Sequence, residues 1–185
     1  MNDFTIEKLN PSMLALWLDF FDTRAFADNP DWASCYCRCY HFDHSTGEWQ
    51  QSTAEENRFC SSKMIEEKKM GGYIALKEGK IVGWCNVNDK KAYARLEQQE
   101  DDDFMLAITC FVIDPLYRQK GIAKSLLEKI IADARTEGYQ SIEAEPPKNS
   151  DSPYHNYKGP LKMYKQKGFE EIKDLGDRVR LRLVL

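Results

Sequence analysis

The sequence predicts one mixed α/β domain, α+β in character, over residues 1–185. Three observations carry that expectation. Apolar residues alternate with period two in some stretches and recur near period 3.6 in others, so strands and helices are both present. Those stretches follow one another as strand, two helices, three strands, helix, strand, helix, two strands, which makes about seven strands and four helices. The chain is long enough to bury a sizeable core, its composition is 42% hydrophobic and 30% charged, and no repeat, low-complexity tract or linker divides it.

Residues 3–9 (DFTIEKL) alternate as a first strand. Asn10-Pro11 then reads as an N-cap followed by proline at the first helical position. The helix so opened carries Leu14, Trp17, Leu18 and Phe21 on one stripe, and is expected to fade before Asn29-Pro30, where proline disfavours a helical predecessor. Residues 28–50 are rich in aromatics, cysteines and histidines and poor in aliphatics. A second helix begins at Ser52 or Thr53, with Glu55 or Glu56 completing a capping box, and runs through Phe59, Met64 and Ile65 to Lys69, where Gly71-Gly72 ends it.

Tyr73–Lys77 and Lys80–Val87 form a hairpin around Glu78-Gly79. The polar stretch 88–103 ends in an acidic run from Glu97 to Asp103, read as a solvated loop or as an electrostatic lure for a cationic substrate. An apolar strand follows from Phe104 and breaks at Asp114-Pro115. The next helix buries Leu126, Leu127, Ile130, Ile131 and Ala134 and closes at Gly138. Tyr139–Glu145 is a strand stopped by Pro146-Pro147. A polar loop leads to Gly159-Pro160 and a short helix that Gly168 ends, and Phe169–Lys173 and Arg178–Leu185 are the last strands.

A net charge of −4 argues against a non-specific nucleic-acid binder, and no apolar run nears the ~20 residues of a membrane span. The N-terminus MNDFTIEKLN has neither a basic nor an apolar leader region, so the six cysteines are expected as free thiols in a cytoplasmic protein.

The strand, turn and helix over 104–138 pass through Arg118-Gln119-Lys120-Gly121-Ile122-Ala123. Backbone N–H groups at such a helix start suit an anion, above all the pyrophosphate of a nucleotide-like cofactor. Arg118-x-x-Gly121-x-Ala123, together with Tyr164-Lys165-Gln166-Lys167-Gly168-Phe169 about forty residues on, resembles the GNAT superfamily of acetyl-CoA-dependent N-acetyltransferases. The resemblance covers the chain except residues 28–50. It implies that superfamily's mixed, mostly antiparallel sheet flanked by helices, and acetyl-CoA as acyl donor, with no metal. It assigns the pyrophosphate to the main chain of Gln119, Lys120, Gly121, Ile122, Ala123 and Lys124, with Arg118 adding charge. It also lays the pantetheine arm along Phe111, Val112 and Ile113. Tyr164 becomes the proton donor to the leaving thiolate, since a phenol keeps its proton at neutral pH. The plainer reading of Tyr164 is a buried ring that packs the final helix. The family's frequent asparagine is missing seven residues before this tyrosine, where Tyr157 stands.

The base is a separate question. Glu143 and Glu145 share a face of their strand if it is regular, and Glu145 is nearer the end where a cleft could form. Either could take a proton from an ammonium; the plainer reading is a solvent-facing carboxylate. Cys35-Tyr36-Cys37-Arg38-Cys39-Tyr40-His41 has period two, so an extended backbone would put the three thiols and His41 on one side. Three readings stay open: small buried apolar residues, a soft-metal site that also uses His44, or a thiol-lined acceptor pocket or redox element. The segment resembles the W-x-x-C-Y-C type of some uncharacterised bacterial GNAT-like proteins. The superfamily commonly builds its acceptor pocket here, which nominates Trp32, Cys35, Tyr36, Cys37 and Tyr40, with Tyr154, His155 and Tyr157 lining the cleft from the other side and His155 as a further base.

The function implied is acetyl transfer from acetyl-CoA to a small-molecule or protein amine by direct attack in a ternary complex. The acidic surface hints at polyamines, aminoglycosides or protein amines, and a homodimer stays open. The alternatives are a CoA-binding or metal- or thiol-responsive regulatory domain without turnover, and an interaction module that docks through residues 32–49.

Overall fold

The computed structural model describes residues 3–45, 47–99, 103–149 and 157–185. Strands β1 (Thr5–Lys8), β2 (Gly72–Lys77), β3 (Lys80–Asp89), β4 (Met105–Ile113), β5 (Ser141–Ala144), β6 (Glu170–Asp174) and β7 (Val179–Val184) form one sheet in the order β1-β2-β3-β4-β5-β7-β6. Every neighbouring pair is antiparallel except β4 with β5. Helices α1 (Leu14–Thr23), α2 (Ala54–Glu66), α3 (Ile122–Glu137) and α4 (Leu161–Lys165) complete the elements that the periodicity predicts.

Alternation along the strands feeds two cores. Tyr73, Ala75, Cys85 and Phe111 belong to a cluster with Leu126, Leu127 and Ile130 of α3 and Met163 and Tyr164 of α4. Ile74, Trp84 and Val112 belong to another with Trp17, Phe20 and Phe21 of α1 and Ile65 of α2. The β2–β3 turn takes φ 50° at Glu78 and 75° at Gly79, the double left-handed geometry that suits the twist of a hairpin.

Helix α2 departs from its expected pattern. Its capping box is Thr53 with Glu56, each side chain bound to the other's backbone N–H at 3.2 and 2.9 Å. Phe59 is 62% exposed, while Asn57 and Ser61 are buried beside Ile65. These polar groups hold the cysteine segment. The Asn57 amide donates to Ser34 O at 3.0 Å and accepts from Arg38 at 2.9 Å, and the Ser61 hydroxyl donates to Tyr36 O at 2.9 Å. A hydrophobic pattern could not reveal an inner face whose task is hydrogen bonding. The helix also stops at Glu66, with Lys68 left-handed, rather than at Gly71-Gly72. Gly72 is instead a strand residue, where a Cβ would fall 2.2 Å from the Trp84 ring.

The extended backbone expected for residues 35–41 is corrected too. A 3-10 turn spans Pro30–Cys35, and Tyr36 and Cys37 follow with φ 43° and 52°. Two successive left-handed residues fold the chain back, so the three thiols share no strand face.

Candidate functional site

The parallel β4–β5 ladder pairs Met105 through Ile108 with Ser141 through Ala144 and then stops, although β4 runs on to Ile113. Proline has no N–H to extend a ladder. Pro146 accepts from Val179 N at 3.1 Å and Pro147 bridges Arg178, so the chain beyond β5 follows β7 and leaves β4. A cleft opens between them. Phe111 and Val112 are buried by their side chains, and Ile113 packs against the core, so what these residues can offer a ligand is main chain.

At the end of β4, Asp114 caps the turn Pro115–Tyr117 by accepting from Leu116 N at 2.9 Å. Gln119 and Gly121 are both left-handed, at φ 61° and 82°, and nothing lies within 4 Å of a Cβ built on Gly121. Ser125 N donates to Gly121 O at 2.9 Å, whereas the N–H groups of Ile122, Ala123 and Lys124 precede the first intrahelical donor. N–H groups without an intrahelical acceptor at the start of the α3 dipole, beside the open space at Gly121, suit a diphosphate. Lys120 adds its ammonium there, 4.8 Å from the Tyr117 ring. Arg118 is otherwise engaged: it pairs with Asp28 and donates to Ile113 O at 3.3 Å, tying the loop to the segment before the cysteines.

A cavity of about 910 Å³ adjoins the cleft, walled by the cysteine segment, β4 and the loop before α4. Of the nominated pocket residues, Trp32, Cys35, Cys37 and Tyr40 line it, and Cys39 and Cys110 join them. Trp32 meets the Tyr157 ring edge-on at 5.3 Å, which joins the two walls. Tyr36 is turned away into the core beside Phe21, its hydroxyl donating to Asp22 at 2.8 Å. His155 and Tyr154 lie outside the described residues. Burial pushes the Cys35 thiol up to about 12 and the Cys37 thiol well above its ordinary value. Such thiols stay protonated and poorly nucleophilic. Cys37 also accepts from Trp84 Nε1 at 3.3 Å. Among the described residues no three His, Cys, Asp or Glu side chains gather as a metal site.

The proton-transfer candidates are closely placed. Tyr164 is fully buried, 6.4 Å from the Phe111 ring and 5.1 Å from that of Phe169. Its hydroxyl donates to the Lys158 carbonyl at 2.7 Å, and burial holds its proton far more tightly than usual. Glu145 stands just past β5 and receives Arg180 at 2.8 Å, Arg178 at 3.2 Å and Lys158 at 3.4 Å. Burial raises its carboxyl, but Lys158, Arg180 and Arg178 outweigh that and bring it below the ordinary value. Glu143 is no solvent-facing carboxylate: it is buried and pairs with Lys90 at 3.1 Å and Arg182 at 2.7 Å.

Sequence reasoning missed Lys158. It is 3% exposed and is among the residues that line the cavity. Burial, reinforced by Arg178 and Arg95 and partly offset by Glu145, brings it down to about 8. No spacing marks it; a charged residue beside Gly159-Pro160 reads as a loop lysine.

The comparisons with known proteins agree with this fold. The profile of the acetyltransferase (GNAT) family matches residues 29–169. No curated protein matches the chain. Among solved structures, an N-acetyltransferase from Staphylococcus aureus Mu50 superposes with a TM-score of 0.61 at 14% identity over 98% of each chain. A putative acetyltransferase from Salmonella typhimurium, solved with its cofactor acetyl-CoA, gives 0.59 at 12% identity over 100% of this chain and 95% of its own. An N-acetyltransferase from Thermoplasma acidophilum in complex with coenzyme A gives 0.58 at 12% identity over 98% and 99%. At these identities the superpositions speak for the fold.

Proposed function

The chain belongs to the acetyltransferase (GNAT) family, and from that premise we propose that it moves an acetyl group from acetyl-CoA to the amine of a small molecule or protein. The observation that carries the reading is the cleft where β4 outruns β5, with the open N–H groups of α3 at one end and the 910 Å³ cavity beside it. In this reading residues 119–124 hold the pyrophosphate, the main chain of Phe111–Ile113 lies along the pantetheine arm, and the acceptor enters from the cavity. A neutral amine attacks the thioester carbonyl; the N–C bond forms and the C–S bond breaks. The amine gives up one proton and the departing thiolate takes one.

Tyr164 is the proposed donor of the proton to the thiolate, and its buried, firmly protonated phenol supports that. Glu145 is the proposed proton acceptor. Its carboxylate is ionised at neutral pH but held by three cations, which makes it a weak base and puts the burden on a bound water or an amine of low pKa. The hydrogen bond from Tyr164 to the Lys158 carbonyl favours a second reading, in which Tyr164 positions Lys158.

Thiol release from acetyl-CoA across a panel of amines tests the function; release no faster than hydrolysis for every amine, with acetyl-CoA bound, would instead indicate a regulatory domain. Tyr164→Phe separates the two roles. The acid role predicts a fall in kcat of about 10²-fold or more with acetyl-CoA affinity retained. The positioning role predicts a stability loss of about 1–3 kcal/mol from the orphaned carbonyl, with kcat nearly kept. We also place the protein in the cytoplasm. None of its six cysteines is disulfide-bonded, which suits a reducing compartment, and among the described residues no helix is long and apolar enough to cross a membrane.

A further inference from the structure

Three cations converge on the inner wall of the cavity. Lys158 Nζ lies 4.8 Å from the centroid of the Tyr40 ring, and Arg95 Cζ lies 5.6 Å from the same point. Arg178 lines the cavity with them and shares Glu145 with Lys158. Carboxylates match this charge only in part. Glu145 takes two bonds from Arg180, at 2.8 and 3.0 Å, and one from Arg178 at 3.2 Å. Lys158 is left at 3.4 Å, longer than a normal charge-assisted hydrogen bond. Arg95 donates to Cys39 Sγ, and no carboxylate among the described residues pairs with it. The carboxylates on the cavity wall, Asp31 and Asp177, are on exposed residues, and Asp177 already faces Arg178 at 3.5 Å. A buried ammonium with an incomplete partner, opening on a cavity, is a site for an anion. The wall also carries the rings of Phe26, Trp32, Trp49 and Tyr157.

We propose that this cavity takes an aromatic amine that carries its own carboxylate, a compound of the aromatic α-amino acid class, with the carboxylate on Lys158, Arg178 and Arg95 and the ring among Trp32, Trp49 and Tyr157. The acetyl-transfer reading supplies the amine; the cavity alone supplies the carboxylate. The positive wall also does chemical work. It disfavours an ammonium nearby and so promotes the neutral amine that attack requires, without a strong base. A polyamine or aminoglycoside brings only positive charge to the same wall.

N-acetyl-L-phenylalanine and N-acetylphenethylamine differ only in the carboxylate and resemble the products. Titration calorimetry of the full chain should show the first binding tighter, on the order of tenfold or more. Lys158→Met and Arg95→Gln should each bring that ratio towards one; the second change is on an exposed residue and covers the case in which the first disturbs folding. Equal affinities, tighter binding of the neutral compound, or no binding of either overturns the proposal. Acetyl-CoA assays with L-phenylalanine and phenethylamine then separate the two readings. Carboxylate-selective binding with no transfer to either amine would sink acetyl transfer and keep the anion site. Transfer to phenethylamine as efficient as to phenylalanine would sink the anion site and keep acetyl transfer.

Discussion

Lys158 carries its charge inside the protein, and the cost has a sign that can be measured. Its folded-state value of about 8 lies below the ordinary 10.5. Between those values the unfolded chain holds a proton that the folded chain has released, so stability from this group rises with pH through that window, and the full cost applies below pH 8. The difference amounts to about 3 kcal/mol. Lys158→Met should therefore be more stable than the wild type at pH 7, by up to about 3 kcal/mol, since replacing a buried charge with an apolar side chain is often stabilising. Urea unfolding at pH 7, 8.5 and 10 checks this: the advantage must shrink as pH rises, and a constant gap would exclude Lys158 as its source. Tyr164 was legible in the sequence by its place before Gly168-Phe169, because that pattern is local. Lys158 and Arg95 were not, because the Tyr40 ring that both approach is brought to them from a distant part of the chain.

The turn into α3 shows how an element makes a binding feature from backbone alone. Gly121 has φ 82° and open space where a Cβ would go, so its requirement is conformational and not steric. Gly121→Ala should lower stability by about 1–2 kcal/mol through left-handed strain and weaken acetyl-CoA binding. Thermal unfolding and calorimetry read the two effects, and unchanged acetyl-CoA affinity would remove this loop from the donor site. Helix α3 was readable because its inner residues are all apolar. Helix α2 was read correctly at its cap, but its inner face was not legible, because Asn57 and Ser61 serve the cysteine segment through hydrogen bonds. The cysteine segment itself could not be read as an element: its period-two spacing imitates a strand, and only the left-handed pair Tyr36-Cys37 reveals the turn.

Across the whole molecule, ligand binding and stability are linked. Acetyl-CoA that binds the folded chain alone should stabilise it by about 2.7 kcal/mol at a hundred times its Kd, with a matching rise in Tm. No shift at saturating acetyl-CoA would remove the donor from the function. The seven strands and four helices follow from signals that the sequence displays openly, through apolar period, caps, glycines and prolines, while the order of the strands in the sheet is a product of the fold. The sequence by itself thus determined the elements, their succession and the local strand-turn-helix proposed to hold a diphosphate, since each depends on neighbours within a few residues. Only the tertiary structure decided the cavity proposed for the acceptor. Its cationic wall joins Arg95, Lys158 and Arg178, and its aromatic wall joins Trp32 and Tyr157. The charge on that wall is only partly compensated because Arg180 and Arg178 hold Glu145 more closely than Lys158 does, and such competition exists only after distant segments have packed together.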